Sequence, residues 1–114
     1  MILIYAIIDI KESAGEDVVA ACVDHARAGL GEAGCFDYVF AVDSEVRGRL
    51  HCFERWESDE AIGAHMGTPR SVAFAAWMNE RAERVQVSRY TVVDDQSDDF
   101  RRQSAALMGD SVQT

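Results

Sequence analysis

Between positions 52 and 65 the chain reads CFERWESDEAIGAH, which puts a carboxylate (Glu54), a tryptophan (Trp56) and an imidazole (His65) close together in sequence. These residue types suit proton transfer from an aromatic molecule. An imidazole with an ordinary pKa near 6.5 accepts a phenolic proton at neutral pH, so His65 is the candidate general base. Trp56 offers a flat apolar wall. Tyr5 can donate a hydrogen bond to a bound phenol. Phe74, Trp77 and Met78 recur at helical spacing, which suits a core and equally the lining of a pocket between helix and sheet.

Each residue also has a plainer reading. His65, beside the Gly-Thr-Pro break at 67–69, would cap helix carbonyls. Trp56 and Tyr5 would pack in a core. Glu54, if it faces inward, needs a partner, and Arg89 on the last strand is the expected one. His51 falls on the opposite face of its strand from Trp56. His25 borders a helix stripe and is expected at the surface. Cys22, Cys35 and Cys52 have no adjacent base in the sequence, so none is a candidate nucleophile.

The elements that must position these groups follow from periodicity. Ile2–Ile10 reads as a strand apolar on both faces, with Ile2, Ile4, Ala6 and Ile8 on one and Leu3, Tyr5 and Ile7 on the other. Ser13 and Glu16 have capping-box spacing before a helix whose buried stripe is Val19, Cys22, Val23, Ala26 and Leu30. Gly29, Gly31 and Gly34 are expected to end that helix. Residues 35–43, with Phe36, Tyr38, Phe40 and Val42 on one face, and residues 49–57 read as a hairpin joined by 44–48. Ser58 caps a short helix with Asp59 and Glu60 in its first turn. Pro69 opens another helix running to about Arg84, and 85–93 is the last strand. The order β-α-β-β-α-(α)-β is the ferredoxin-like split βαβ arrangement, an α+β fold with one four-stranded antiparallel sheet and helices on one face. A second apolar sheet face then needs a partner, most simply an identical chain across a two-fold axis.

Composition narrows the class. A chain of 114 residues is one domain, here 1–93, followed by a polar tail at 94–114 that is either disordered or an arm docking on a dimer partner. A net charge of −9 argues against nucleic acid and anionic membranes as partners. Three widely spaced cysteines without a CxxC pair argue for reduced thiols in a cytoplasmic protein and against a zinc site. The opening MILIYAII lacks a basic leader and a cleavage site, and no apolar run approaches the roughly 20 residues of a membrane span.

The stretches AGCFDYVFAVD and CFERWESDEAIGAHMGTPRSVAF resemble the antibiotic biosynthesis monooxygenase family over residues 2–93. The resemblance rests on a Gly–Cys turn into the second strand, Glu-x-Trp-Glu-Ser at the strand–helix junction, and a histidine eight residues beyond Glu57. It implies a dimeric α+β barrel. The family includes cofactor-free quinol and anthrone oxygenases, haem-degrading enzymes, a sugar-phosphate isomerase and members without known activity. The oxygenases let a substrate anion pass an electron to O₂, with no metal or organic cofactor. Trp56 matches their tryptophan, while their asparagine and nearby tyrosine correspond to Cys52 and Ile62. His65 matches a histidine of quinol-oxidising relatives. In haem degraders a tryptophan stands at the position of His65 and the axial histidine falls near Ala75, so no haem ligand follows. The resemblance therefore implies oxidation of a hydroquinone- or anthrone-like aromatic by O₂, with a non-catalytic ligand-binding barrel and an isomerase as alternatives.

Overall fold

Strand β1 (Ile2–Ile10) sits inside the sheet, between β3 (Arg49–Trp56) and β4 (Ala82–Thr91), and β2 (Cys35–Val42) pairs with the far edge of β3. The resulting order β2-β3-β1-β4 is antiparallel throughout, as the ferredoxin-like topology requires. A computed structural model describes residues 1–15 and 17–113. The connecting helices are α1 (Val18–Leu30), α2 (Asp59–Met66) and α3 (Pro69–Arg81), and α4 (Ser97–Met108) follows the sheet.

One face of the sheet carries the core. Ile2, Ile4, Ala6 and Ile8 of β1 are buried with Leu50, Cys52 and Trp56 of β3 and Tyr38 of β2. The other face bears Leu3, Tyr5, Ile7 and Phe53, and among the described residues Tyr5 and Phe53 stay exposed there. The two-sided pattern of β1 thus has a cover on one side only.

Local signals place the short helices. The Ser58 hydroxyl accepts from the Ala61 N–H at 3.2 Å, and Thr68 caps α3 with Pro69 in its first turn, where a missing N–H costs nothing. α3 stops at Arg81, three residues earlier than its periodicity suggests, because β4 starts pairing with β1 at Ala82.

Three expectations are corrected. The N-cap of α1 is Asp17, while Ser13 lies in a separate 3₁₀ turn (Glu12–Ala14); Glu16, the other half of the expected capping box, lies outside the described residues. The buried stripe of α1 is Val18, Cys22, His25, Ala26 and Gly29, with Val19 and Leu30 half exposed. The helix is rotated so that Gly29 meets Tyr38; a Cβ at Gly29 would stand 2.6 Å from the Tyr38 ring, so that glycine serves close packing inside the helix. Finally, a bulge between Cys35 and Asp37 gives Cys35 the place opposite Trp56 and turns Phe36 out against the Arg55 guanidinium, 5.2 Å from its centroid.

The polar tail contains α4, which buries none of its residues and leaves Phe100, Leu107 and Met108 exposed.

Candidate functional site

Between the core face of the sheet and helices α2 and α3 lies a cavity of about 530 Å³, a size suited to a small organic molecule. Ile4, Ala6 and Ile8 line it from the sheet, and Phe74 and Met78 line it from α3. Its polar side chains include Tyr38, Cys52, Glu54, His65, Asn79 and Arg89. The inner face of β4 forms an open side, where Val85 and Val87 stay largely exposed.

His65 is 6% exposed. Its Nδ1–H donates to Glu32 Oε2 at 2.7 Å, so the neutral ring keeps Nε2 as an acceptor. The ring rests on Trp56, centroids 4.7 Å apart, with the Tyr38 ring edge-on at 5.5 Å. Ser71 Oγ lies 3.4 and 3.5 Å from its two nitrogens. The capping reading of His65 is therefore corrected: Gly67 N–H and Thr68 Oγ1 serve the carbonyls at the end of α2, and the imidazole points inward.

Glu32 is the partner that the sequence reading missed. It follows α1 in the turn Gly-Glu-Ala-Gly, and Gly34 adopts φ +79° there. A Cβ on Gly34 would stand 2.6 Å from that of Ala61, so only glycine lets this turn abut α2 and bring Glu32 to His65. The signal was the carboxylate just before the Gly–Cys turn.

Trp56 is fully buried and backs the site without lining the cavity. Its indole Nε1–H donates to Glu54 Oε1 at 2.9 Å, and the Cys52 thiol lies 3.7 Å from the other oxygen. Burial raises the Glu54 pKa above the ordinary carboxylate value, opposed in part by the Trp56 hydrogen bond and by His65. Burial likewise raises the Tyr38 phenol and, chiefly, the Cys52 thiol, so neither ionises at neutral pH. The expected Glu54–Arg89 pair is absent. Both residues stand opposite Ile4, one on β3 and one on β4, with β1 between them, and Arg89 instead bonds Asp59 at the start of α2.

Of the pocket residues expected from sequence, Phe74 and Met78 line the cavity. Trp77 does not. It lines an adjoining groove with His25 and Phe74, its ring against the Arg81 guanidinium at 4.3 Å, because it projects from α3 one position round from the cavity. Tyr5 is corrected as a cavity residue, since as an odd-numbered position on β1 it faces the opposite side of the sheet. There its hydroxyl bonds His51 Nδ1 at 2.5 Å, and His51 Nε2 bonds Asp43 Oδ2 at 2.6 Å. His25, expected at the surface, is 4% exposed and stacked on Phe74 at 3.9 Å. Its Nδ1 has no hydrogen-bond partner, and burial first, then His65 and Arg70, lower its pKa to about 4.

The family model for antibiotic biosynthesis monooxygenases matches residues 1–77, which run from β1 into α3 and include Glu32, Glu54, Trp56, His65 and Ser71. The chain belongs to the antibiotic biosynthesis monooxygenase family. No curated protein sequence matches it significantly. Among solved structures, a Shewanella oneidensis protein is 26% identical, with TM-score 0.71 over 78% of this chain and 87% of that one. A Mycobacterium tuberculosis protein is 24% identical, with TM-score 0.74 over 82% and 96%. At these identities the likeness is one of fold. Among the described residues no group of three or more His, Cys, Asp and Glu side chains is arranged to hold a metal ion, and no helix is long and apolar enough to cross a membrane.

Proposed function

We propose that this member of the antibiotic biosynthesis monooxygenase family oxidises an electron-rich hydroquinone- or anthrone-like aromatic with O₂, without metal or organic cofactor. The observation that supports this most directly is the Glu32–His65 pair: a buried imidazole oriented by a carboxylate at 2.7 Å, its second nitrogen 3.5 Å from the Ser71 hydroxyl, beside a mostly apolar cavity.

His65 takes the proton of the substrate's hydroxyl or enol. The resulting anion passes one electron to O₂, and the substrate radical and superoxide join through a new C–O bond at a carbon that still carries hydrogen, the methylene-derived carbon of an anthrone or the ring carbon beside the ionised oxygen of a hydroquinone. Loss of the remaining hydrogen from that carbon as a proton breaks the O–O bond. One oxygen atom stays as a carbonyl, and the other leaves with two substrate hydrogens as water. The protein's part is to position the ring, hold the protons and keep bulk water away from the anion.

The same reading includes a homodimer joined through the bare sheet face, with the exposed helix α4 as an arm on the partner, in the reducing cytoplasm where Cys22, Cys35 and Cys52 stay free. Oxygen-electrode assays with simple hydroquinones and anthrones in the presence of a chelator test the activity. Uptake of one O₂ per substrate is expected. Tight binding with no uptake across both classes would instead favour a ligand-binding barrel.

A further inference from the structure

The most unusual group in the cavity is Glu54. Its carboxylate lies on the core face of the sheet, and among the described residues no arginine, lysine or histidine nitrogen comes within ion-pair distance. Arg89, which shares the cavity, is occupied by Asp59. Among the described residues its donors are both neutral: the Trp56 indole N–H at 2.9 Å and the Cys52 thiol at 3.7 Å. A carboxylate in apolar surroundings calls for more hydrogen bonds than these two supply. Glu54 is only part-buried and borders the cavity, so a bound molecule can reach it.

Glu54 and His65 flank the same side chain. Trp56 gives its N–H to Glu54 and its ring face to His65 at 4.7 Å. One small aromatic molecule with two hydroxyls can therefore meet both groups, whereas a molecule with one hydroxyl can satisfy only one.

Resting on the oxygenase reading above, we propose that Glu54 accepts a hydrogen bond from a second hydroxyl of the substrate while His65 acts on the first, which makes the substrate an aromatic diol of the hydroquinone type. Glu54 is then a specificity residue. The neighbouring thiol and indole donors hold its carboxylate in place, and its own demand for a donor selects the ligand. The nearby charged and titratable groups are His65 of α2, Glu32 before β2, Tyr38 and Cys35 of β2, Cys52 of β3 and Arg89 of β4.

Anaerobic binding tests the proposal without relying on turnover. The probes are naphthalene-1,4-diol, 1-naphthol, 4-methoxy-1-naphthol and 4-amino-1-naphthol, followed by tryptophan fluorescence and calorimetry. Wild-type protein should bind the diol about tenfold or more tighter than the mono-ol and the methyl ether, as expected for a hydrogen bond to a charged acceptor. Glu54→Gln, which keeps the shape and an acceptor for Trp56 but loses the charge, should reduce that preference to about threefold or less. Equal wild-type binding of diol and methyl ether would overturn the assignment even if no variant folds. So would a preference that survives in Glu54→Gln, or tighter binding of the amine than of the diol. A diol preference without any O₂ uptake would leave the Glu54 assignment standing and remove the oxygenase reading alone.

Discussion

His65 Nδ1 and Glu32 Oε2 meet at 2.7 Å although 33 positions separate them in the chain. This pair turns a helix histidine into an oriented base. His65→Ala is expected to lower turnover about 10²–10⁴-fold, the usual contribution of a positioned acid or base. Glu32→Gln should cut turnover less, with KM little changed. Equal rates in His65→Ala and the parent, measured by oxygen uptake, would return His65 to the scaffold.

Trp56→Phe keeps an aromatic plane behind His65 but removes the N–H that Glu54 accepts. The lost hydrogen bond to a charged group costs about 1.5–3 kcal/mol, and the smaller ring adds a cavity penalty. Thermal melting should show a drop of several degrees. An unchanged melting temperature would mean that the indole hydrogen bond contributes nothing.

Glu54 gives the stability a definite pH dependence. Its folded-state pKa lies above the ordinary value because burial disfavours the charge. The fold therefore gains from the protonated form below that ordinary value and loses stability as pH rises through the raised one. Glu54→Gln should melt higher than the parent at neutral pH, and the gap should close towards pH 4. Urea titrations across that range check the sign.

His25 acts in the opposite sense. With a pKa lowered from 6.5 to about 4, the folded protein keeps this ring neutral while the unfolded chain protonates it. Stability is complete above pH 6.5 and is lost progressively down to about pH 4, by about 3 kcal/mol in total. His25→Leu, an apolar replacement for a buried ring without a partner at Nδ1, should flatten that acid limb. Unfolding curves at pH 7 and pH 4.5 would show a smaller difference in the variant than in the parent.

The uncovered sheet face predicts assembly. Light scattering at micromolar concentration should give the mass of a dimer, and Phe53→Glu, on that face, should give a monomer. Removing residues 94–114 should weaken the dimer if α4 docks on the partner, and a truncated chain that dimerises equally well would exclude the arm.

What the sequence alone determined was mostly local. The limits of β1, the Ser58 cap, the proline at the start of α3 and the hairpin all come from interactions within a few residues, and those signals survive in the folded chain. The β-α-β-β-α-β order was legible for the same reason, because alternation and helical spacing are properties of single segments. His65 and Trp56 were legible as residue types, but their partners were not. Glu32 reaches His65 only because Gly34 lets the turn press on α2. Glu54 is left without a cation because β1 separates it from Arg89 in the strand order. His25 is buried because α1 rotates to seat Gly29 against Tyr38, and a stripe rich in alanine and small residues does not specify that rotation by its own periodicity. Phe36 leaves the core face through a bulge that its alternating pattern conceals. In each case the deciding contact joins segments far apart in sequence, and only the packed tertiary structure brings them together.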